Sequence, residues 1–265
     1  MELLDGLTVI ASQAAAAILA IPRPALNTRD KPDHSPVTAA DEASEAIILD
    51  GLRRLLPSIP VVSEESPAGR SVAESAKSFL SVDPLDGTRE FLAGLDEYVV
   101  NIALIEDGTP VAGVMAAPAR GLIWRGRVGH GAERLALKPG DRPDAARERH
   151  AIRTRPCPAN GVRIMISRSH LDPETEAWVS RVPQAELVSC GSALKFGLLA
   201  EGSADLYPRL GPTSEWDVAA GHAVLVAAGG DVRMPDGRPL RYGQAQSRIA
   251  GFIAAGDCNA APLRN

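Results

Sequence analysis

The chain has 265 residues and a net charge of -5, with 45% hydrophobic, 23% charged and 4% aromatic residues. This is too apolar for disorder and long enough for one large domain or two lobes. Without a Lys/Arg run or a supply of aromatics, neither a duplex-binding face nor a base-stacking platform is expected, so no nucleic-acid partner is.

Leu3, Leu4, Leu7, Ile10, Ala14, Ala17, Ile18 and Ile21 form one stripe of a helix that stops before Pro22. Glu2 and Asp5 stand where a signal peptide is basic, and Ser12-Gln13 interrupt the apolar run, so neither export nor an integral membrane segment is expected. Cys157, Cys190 and Cys258 are odd in number and widely spaced, fitting neither a disulfide framework nor a zinc site. They read as reduced cytosolic thiols.

A proline-punctuated loop, Lys31 to Thr38, leads into a second helix whose apolar side includes Ile47, Leu52 and Leu55. Thr38 is the expected N-cap, placing Asp41 in the first turn, where complementing the helix dipole and a catalytic role are equally open. Ile59 to Ser63 reads as a strand running into Glu64-Glu65, followed by a polar stretch from Ser66 to Ser78.

Phe79, Leu80 and Val82 form a short buried strand, and Glu90-Phe91-Leu92 begin a helix, so Asp83-Pro84-Leu85-Asp86-Gly87-Thr88 is a strand-to-helix turn. Pro84 biases Asp83 towards an extended conformation and helps aim Asp83, Asp86 and the Leu85 carbonyl together. Oxygen-only donors suit a hard cation such as Mg2+, and the Gly87 and Thr88 amides open a helix start that favours an anion. Taken alone the segment serves equally as a solvated turn.

Tyr98 to Ile105, Val111 to Ala116 and Leu122-Ile123-Trp124 read as an antiparallel meander with a turn at Asp107-Gly108. Residues 138–160 are Pro- and Arg-rich and aperiodic, a connection with room for an edge strand. The second half alternates again. Val162 to Ile166 is a strand, Glu174 to Arg181 a helix, Leu187-Val188 a strand, Gly191 to Phe196 a helix start and Asp205 to Arg209 a strand. A last helix opens near Thr213 or Ser214 as cap, with Asp217 at its positive end, and runs to Gly229-Gly230. Val232 and Phe252-Ile253-Ala254 finish a sheet. His170, Lys195 and Arg209 lie at strand exits, where each alone is an ordinary surface group.

In order, Glu64-Glu65, Asp83-Pro84-Leu85-Asp86-Gly87-Thr88 and Trp216-Asp217-x-Ala219-Ala220-Gly221 together resemble the metal-dependent, lithium-inhibited phosphatases of the inositol monophosphatase superfamily. The likeness spans nearly the whole chain and is weakest over Ser66 to Ser78. It is similar above all to the bacterial 3′(2′),5′-bisphosphate nucleotidase branch, through Lys31-x-Asp33-x-Ser35-Pro36-Val37-Thr38-x-Ala40-Asp41, Ser167-Arg168-Ser169-His170, Gly191-Ser192-x-Leu194-Lys195-Phe196 and Leu206-Tyr207-Pro208-Arg209.

The resemblance implies an α/β (α+β) fold, a layered α-β-α-β-α sandwich of the inositol monophosphatase/fructose-1,6-bisphosphatase type. Within it residues 1–137 form a metal-binding lobe, 138–160 a connection and 161–265 a nucleotide-binding lobe. It also implies that Glu64, Asp83, the Leu85 carbonyl, Asp86 and Asp217 hold two or three Mg2+ ions, with inhibition by Li+ and Ca2+. Asp41, Thr88 and Glu65 form the catalytic group, Lys31 supports it, and Gly87, Thr88, His170, Ser192, Lys195, Arg209 and Asp217 bind substrate. The implied activity converts adenosine 3′,5′-bisphosphate to AMP in sulfur metabolism, and extends to the 5′-phosphosulfate relative. An inositol-1-monophosphatase or a fructose-1,6-bisphosphatase is the alternative. The expected protein is a cytoplasmic monomer or homodimer acting on a small nucleotide, with peripheral attachment to the inner membrane left open.

Overall fold

The computed structural model describes residues 2–22, 26–30, 36–66 and 76–258; Lys31, Asp33 and Ser35 lie outside them. Helix α1 spans Glu2–Ala20, β1 and β2 are a small antiparallel pair (Arg29–Asp30 and Pro36–Val37), and α2 spans Ala39–Leu55. Strands β3 (Val61–Ser63) and β4 (Ser78–Asp86) lead to the short helix α3 (Thr88–Leu92). A meander follows through β5 (Val99–Glu106), β6 (Thr109–Ala117), β7 (Leu122–Arg127), β8 (Gly131–Ala136) and β9 (Glu148–Ile152).

β3 to β9 form a seven-stranded sheet in sequence order, antiparallel except where β3 runs parallel to β4. The expected edge strand within 138–160 is β9, paired to β8. β8 itself escaped the sequence reading, because Gly131-Ala132-Glu133-Arg134 shows no apolar alternation.

The second half supplies β10 (Arg163–Ser167), α4 (Pro173–Val179), β11 (Glu186–Cys190), α5 (Leu194–Ala200), β12 (Leu206–Arg209) and β13 (Thr213–Ser214). After these come α6 (Ala219–Ala227), β14 (Asp231–Arg233), β15 (Arg248–Ile249) and β16 (Phe252–Ala255). A five-stranded sheet has the order β11-β10-β12-β16-β14, with β10 parallel to both of its neighbours.

Residue alternation builds the layers. Leu80 and Val82 of β4, with Val100, Ile102 and Leu104 of β5, pack against Leu7, Ile10, Ile18, Ile48 and Leu52 of α1 and α2. Phe79, Val99, Ala103 and Ile105 face the other way, into a core shared with α5, α6 and the second sheet. Trp178 and Val179 of α4 cover the far face of that sheet through Ile164, Leu206 and Ile253. The result is the expected α-β-α-β-α sandwich. At about 1.5–3 kcal/mol per fully buried aliphatic side chain, these two-sided strands carry much of the folding energy.

By length and composition α1 could cross a membrane. In the fold its apolar stripe packs on the first sheet, and Arg125, 1% exposed, reaches back to Asp5 at 2.7 Å and Glu133 at 2.5 Å. Helix α1 is therefore part of the outer layer on the first sheet, pinned there by a buried cation with both counter-charges in place.

Two sequence expectations are corrected. Cys157 and Cys258 form a disulfide across a separation of 101 residues, and only Cys190 is a free thiol. The cause is a parallel bridge between Pro156 and Asp257, with the Cys157 amide donating to the Asp257 carbonyl, which brings the two Cα atoms to 4.7 Å. The last long helix begins at Ala219 rather than beside Thr213. Thr213-Ser214 instead pair with Arg248-Ile249 as strands.

Candidate active site

Register places the first acids. Val62 sits beside Ser81 and Ser63 beside Val82 in the parallel pair, so the next residues, Glu64 and Asp83, emerge side by side. The Glu64 and Asp83 carboxyls lie close enough for each charge to oppose the other.

The strand does not end at Asp83, as the sequence reading expected. It continues to Asp86 through an irregularity between Asp83 and Asp86, where Pro84 has no N–H for the ladder. That bulge turns Asp86 into the same cleft. The Asp83 carboxylate accepts from the Leu85 amide at 3.0 Å, and the Ser44 hydroxyl of α2 holds the Pro84 carbonyl at 2.7 Å.

Gly87 then turns the chain with φ of +95°, and a Cβ there would lie 2.9 Å from the Glu97 carbonyl. Only glycine fits both constraints. The Thr88 hydroxyl lies 3.1 Å from the Leu85 carbonyl and 3.2 Å from Asp41. Asp41 is fixed in turn by the Thr38 amide at 2.8 Å and the Thr38 hydroxyl at 2.6 Å, and Thr38 caps α2 as expected. Thus Asp41 has the structural role and also touches Thr88.

Asp217 arrives from the second half. The Thr213 hydroxyl and the Ser214 amide both donate to its carboxylate, the latter at 3.2 Å. The capping expectation is therefore inverted: Asp217 receives from Thr213 and Ser214, and the helix starts two residues later. Asp83, Asp86 and Asp217 each offer a carboxylate oxygen, all within 4.8 Å of one another.

The electrostatics show an acid cluster short of positive charge. Burial pushes Asp83 well above the usual carboxylate range, and repulsion from Glu64, Asp86 and Asp217 adds to it. Burial and then Asp217 raise Asp86 to about 7, against the Ala193 amide, Lys195 and Arg209, which pull it down. A hard divalent cation would relieve this repulsion, and an oxygen-only donor set is what Mg2+ takes. The residues present fit such an ion.

The second half meets the same cleft because β10, β11 and β12 are parallel, so their carboxyl ends open at one edge. The cleft is lined by Glu64, Asp83, Leu85, Asp86, Gly87 and Thr88 from the first half, and by His170, Ser192, Lys195, Arg209 and Asp217 from the second. Asp41 lies behind Thr88. Glu65 is half-buried at the end of β3, outside that lining.

The three basic groups expected to meet substrate differ. Lys195 is 1% exposed, its ammonium donating to the Cys190 carbonyl at 3.0 Å and the Ser192 carbonyl at 2.5 Å, 4.8 Å from the centre of the Tyr207 ring. Arg209 is half-buried and donates to the Pro212 carbonyl at 3.2 Å. His170 is exposed at the rim; desolvation, then Arg209 and Arg89, lower its pKa.

Sequence reasoning missed the groups that hold these residues in place. The Ala193 amide donates to Asp86 at 2.5 Å, and Glu97 pairs with Arg168 through bonds of 2.7 and 2.8 Å. Their partners lie 107 and 71 residues away, and no local pattern announces such pairs.

An acid cluster at a bulged strand end, facing cations inside a five-layer sandwich, defines a phosphatase site of the inositol monophosphatase type. The chain matches the inositol monophosphatase family over residues 3–261 and belongs to it. It is 42% identical to the 3′(2′),5′-bisphosphate nucleotidase CysQ of Escherichia coli K12 over 248 residues, 92% of this chain and 96% of that one. Among solved structures it is similar to CysQ from Bacteroides thetaiotaomicron, with a TM-score of 0.82 and 32% identity, covering 96% of this chain and 97% of the other. An inositol monophosphatase from Zymomonas mobilis has a TM-score of 0.78 and 27% identity over 99% of this chain and 96% of its own.

Proposed function

We propose that the protein hydrolyses the 3′-phosphate of adenosine 3′,5′-bisphosphate to give AMP and phosphate, with its 5′-phosphosulfate relative as a further substrate. The observation that carries this reading is one cleft lined both by crowded acids and by the basic side chains of Arg89, His170, Lys195 and Arg209. An ester with one phosphate needs a single anion site. A bisphosphate needs cations at a distance from the hydrolytic centre, and the 42%-identical relative from Escherichia coli K12 is a bisphosphate nucleotidase.

Glu64, Asp83, the Leu85 carbonyl, Asp86 and Asp217 would hold two or three Mg2+ ions. Bound there, they would neutralise the acids, lower the pKa of water and stabilise the leaving oxygen. The Thr88 hydroxyl orients the attacking water and takes up its proton while releasing its own to Asp41, whose other oxygen is fixed by Thr38. Water oxygen bonds to phosphorus as the ester bond to the ribose 3′-oxygen breaks, and that oxygen leaves as a hydroxyl after taking a proton from solvent. The Gly87 and Thr88 amides orient the transferred phosphate. Arg209 and His170 receive the second phosphate, with Ser192 at the loop between. Glu65 supports Glu64 from behind.

The cleft encloses about 200 Å³. This is below the ~300–1,000 Å³ of typical ligand pockets, so the phosphates would be enclosed and the adenosine would extend towards solvent.

Phosphate release from adenosine 3′,5′-bisphosphate, inositol 1-phosphate and fructose 1,6-bisphosphate, each with Mg2+, tests the reading. The bisphosphate nucleotide is expected to lead by about a hundredfold or more in kcat/KM, with loss of activity in Li+ or Ca2+. Preference for inositol 1-phosphate would assign the protein to the monophosphatase branch.

A further inference from the structure

We infer that Glu97 and Arg168 form a clasp that joins the two halves of the cleft and sets the position of the loop bearing the substrate contacts. This deepens the nucleotidase reading and rests on it. Neither residue is among the residues that line the cleft, so both act through others.

Glu97 lies between α3 and β5, in the half that carries Asp83 and Asp86. Its carboxylate accepts Nε and Nη2 of Arg168 at 2.7 and 2.8 Å, and the same Oε2 accepts the Gly191 amide at 2.7 Å. Arg168 begins the loop leaving β10. Its Nη2 also donates to the Ser189 carbonyl at 3.0 Å, and its amide to the Cys190 carbonyl at 3.2 Å. One ion pair therefore holds the exits of β10 and β11 against the end of the acidic half.

A second contact runs beside it. The Ser169 hydroxyl donates to the buried Glu90 of α3 at 2.5 Å. The segment pinned at Arg168 and Ser169 ends in His170, and the segment pinned at Gly191 continues into Ser192 and Ala193. Ser192 has φ of +50°, and the Ala193 amide reaches Asp86. A Cβ at Gly191 would lie 2.6 Å from Glu90 Cγ and 2.9 Å from the Glu97 carbonyl, so the loop sits directly on the first half. That same Glu97 carbonyl bounds the turn at Gly87.

Glu97 thus touches, through one carboxylate and one carbonyl, the turn that holds the transferred phosphate and the loop that meets the remainder of the substrate. Its carboxylate is held below the ordinary range, first by the Arg168 hydrogen bonds, with burial opposing. A fork of this kind fixes orientation as well as distance, which lysine cannot do. Misplacing a binding loop by about 1 Å is enough to cost up to a hundredfold in rate or affinity. The penalty falls on substrates that bridge both halves.

The test compares Arg168→Gln, Arg168→Lys and Glu97→Gln with the unaltered protein on two substrates. One is adenosine 3′,5′-bisphosphate, and the other is p-nitrophenyl phosphate, which has one phosphate and no ribose. The expected result is a KM for the bisphosphate raised about tenfold in both glutamine variants, with kcat within about threefold. Arg168→Lys should fall between these variants and the parent, and kcat/KM for p-nitrophenyl phosphate should fall by less than about threefold.

Melting temperature reports folding separately, and with Arg168 40% exposed its glutamine variant is expected to fold. An unchanged KM, or equal losses on both substrates, overturns the clasp. Failure of the unaltered protein to hydrolyse the bisphosphate overturns the nucleotidase reading, and the clasp with it.

Discussion

The acidic and cationic sets that share the cleft are built in different ways. Each acid is immobilised by a hydrogen-bond donor: Asp83 by the Leu85 amide, Asp86 by the distant Ala193 amide, Asp217 by the Thr213 hydroxyl. The basic groups form a graded series running from fully buried Lys195 through half-buried Arg209 to exposed His170. Donor atoms for an ion must be fixed within tenths of an ångström, whereas a phosphate is satisfied by charge at a range of distances. The first requirement produces a rigid cage, and the second a looser arrangement at strand exits.

If that contrast holds, the largest effect follows from neutralising one acid. Asp86→Asn is expected to lower kcat/KM by about a thousandfold or more, since it would remove one of the proposed ion ligands. Stability should move the other way. The folded-state pKa of Asp86 is raised to about 7, so at pH 8 without Mg2+ its charge opposes folding. In EDTA at pH 8 the variant should melt above the parent, and adding Mg2+ should reverse the order. A variant that melts lower in EDTA would mean that the acids are not mutually repulsive.

The second effect separates two cations that the sequence could not rank. Arg209→Ala should raise KM for the bisphosphate about 10- to 100-fold with little change in melting temperature, because its charge faces the cleft and it makes few bonds to the fold. Lys195→Met should instead cost about 1–3 kcal/mol of stability. It leaves the buried Cys190 carbonyl and the half-buried Ser192 carbonyl without their donor. Matching phenotypes in the two variants would dissolve the distinction. Urea denaturation alongside steady-state kinetics measures both quantities.

How these groups could be read from the sequence follows the same division. Acids that end short apolar strands, and a threonine that caps a helix ahead of Asp41, depend on neighbours within a few residues, so pattern and turn chemistry reach them. The elements themselves were reachable for the same reason, since each strand's alternation and each helix's stripe is local, whereas the order of the layers came from the family resemblance. What holds the acids was not reachable. Ala193 and Asp86, Glu97 and Arg168, and Cys157 and Cys258 meet only after both sheets have formed, across 71 to 107 residues. The charge of Lys195 was visible in the sequence, but its burial at the wall of the cleft was not. Thr213 was legible as a polar residue near a helix start. Its role as donor to Asp217 needed β13 to pair with β15.

The smallest effect tests the helix that lies between the two sheets, α6, which follows directly from Asp217. His222 on this helix is buried with Nδ1 3.0 Å from the Tyr242 hydroxyl, and burial lowers its pKa to about 4, with Asp231 weakly opposing. In the unfolded chain a histidine titrates near 6.5, so between pH 6.5 and 4 the unfolded state binds more protons. This contribution to stability is full above pH 6.5 and declines as pH falls towards 4. From these two values the loss is about 1 kcal/mol by pH 6. His222→Gln should flatten that part of the stability curve while leaving the alkaline side unchanged. Because α6 packs against both the meander and α5, the decline should appear in one cooperative transition. Two separate transitions on acidification would show that the acidic half and the cationic half unfold independently, and that the middle helix does not couple them.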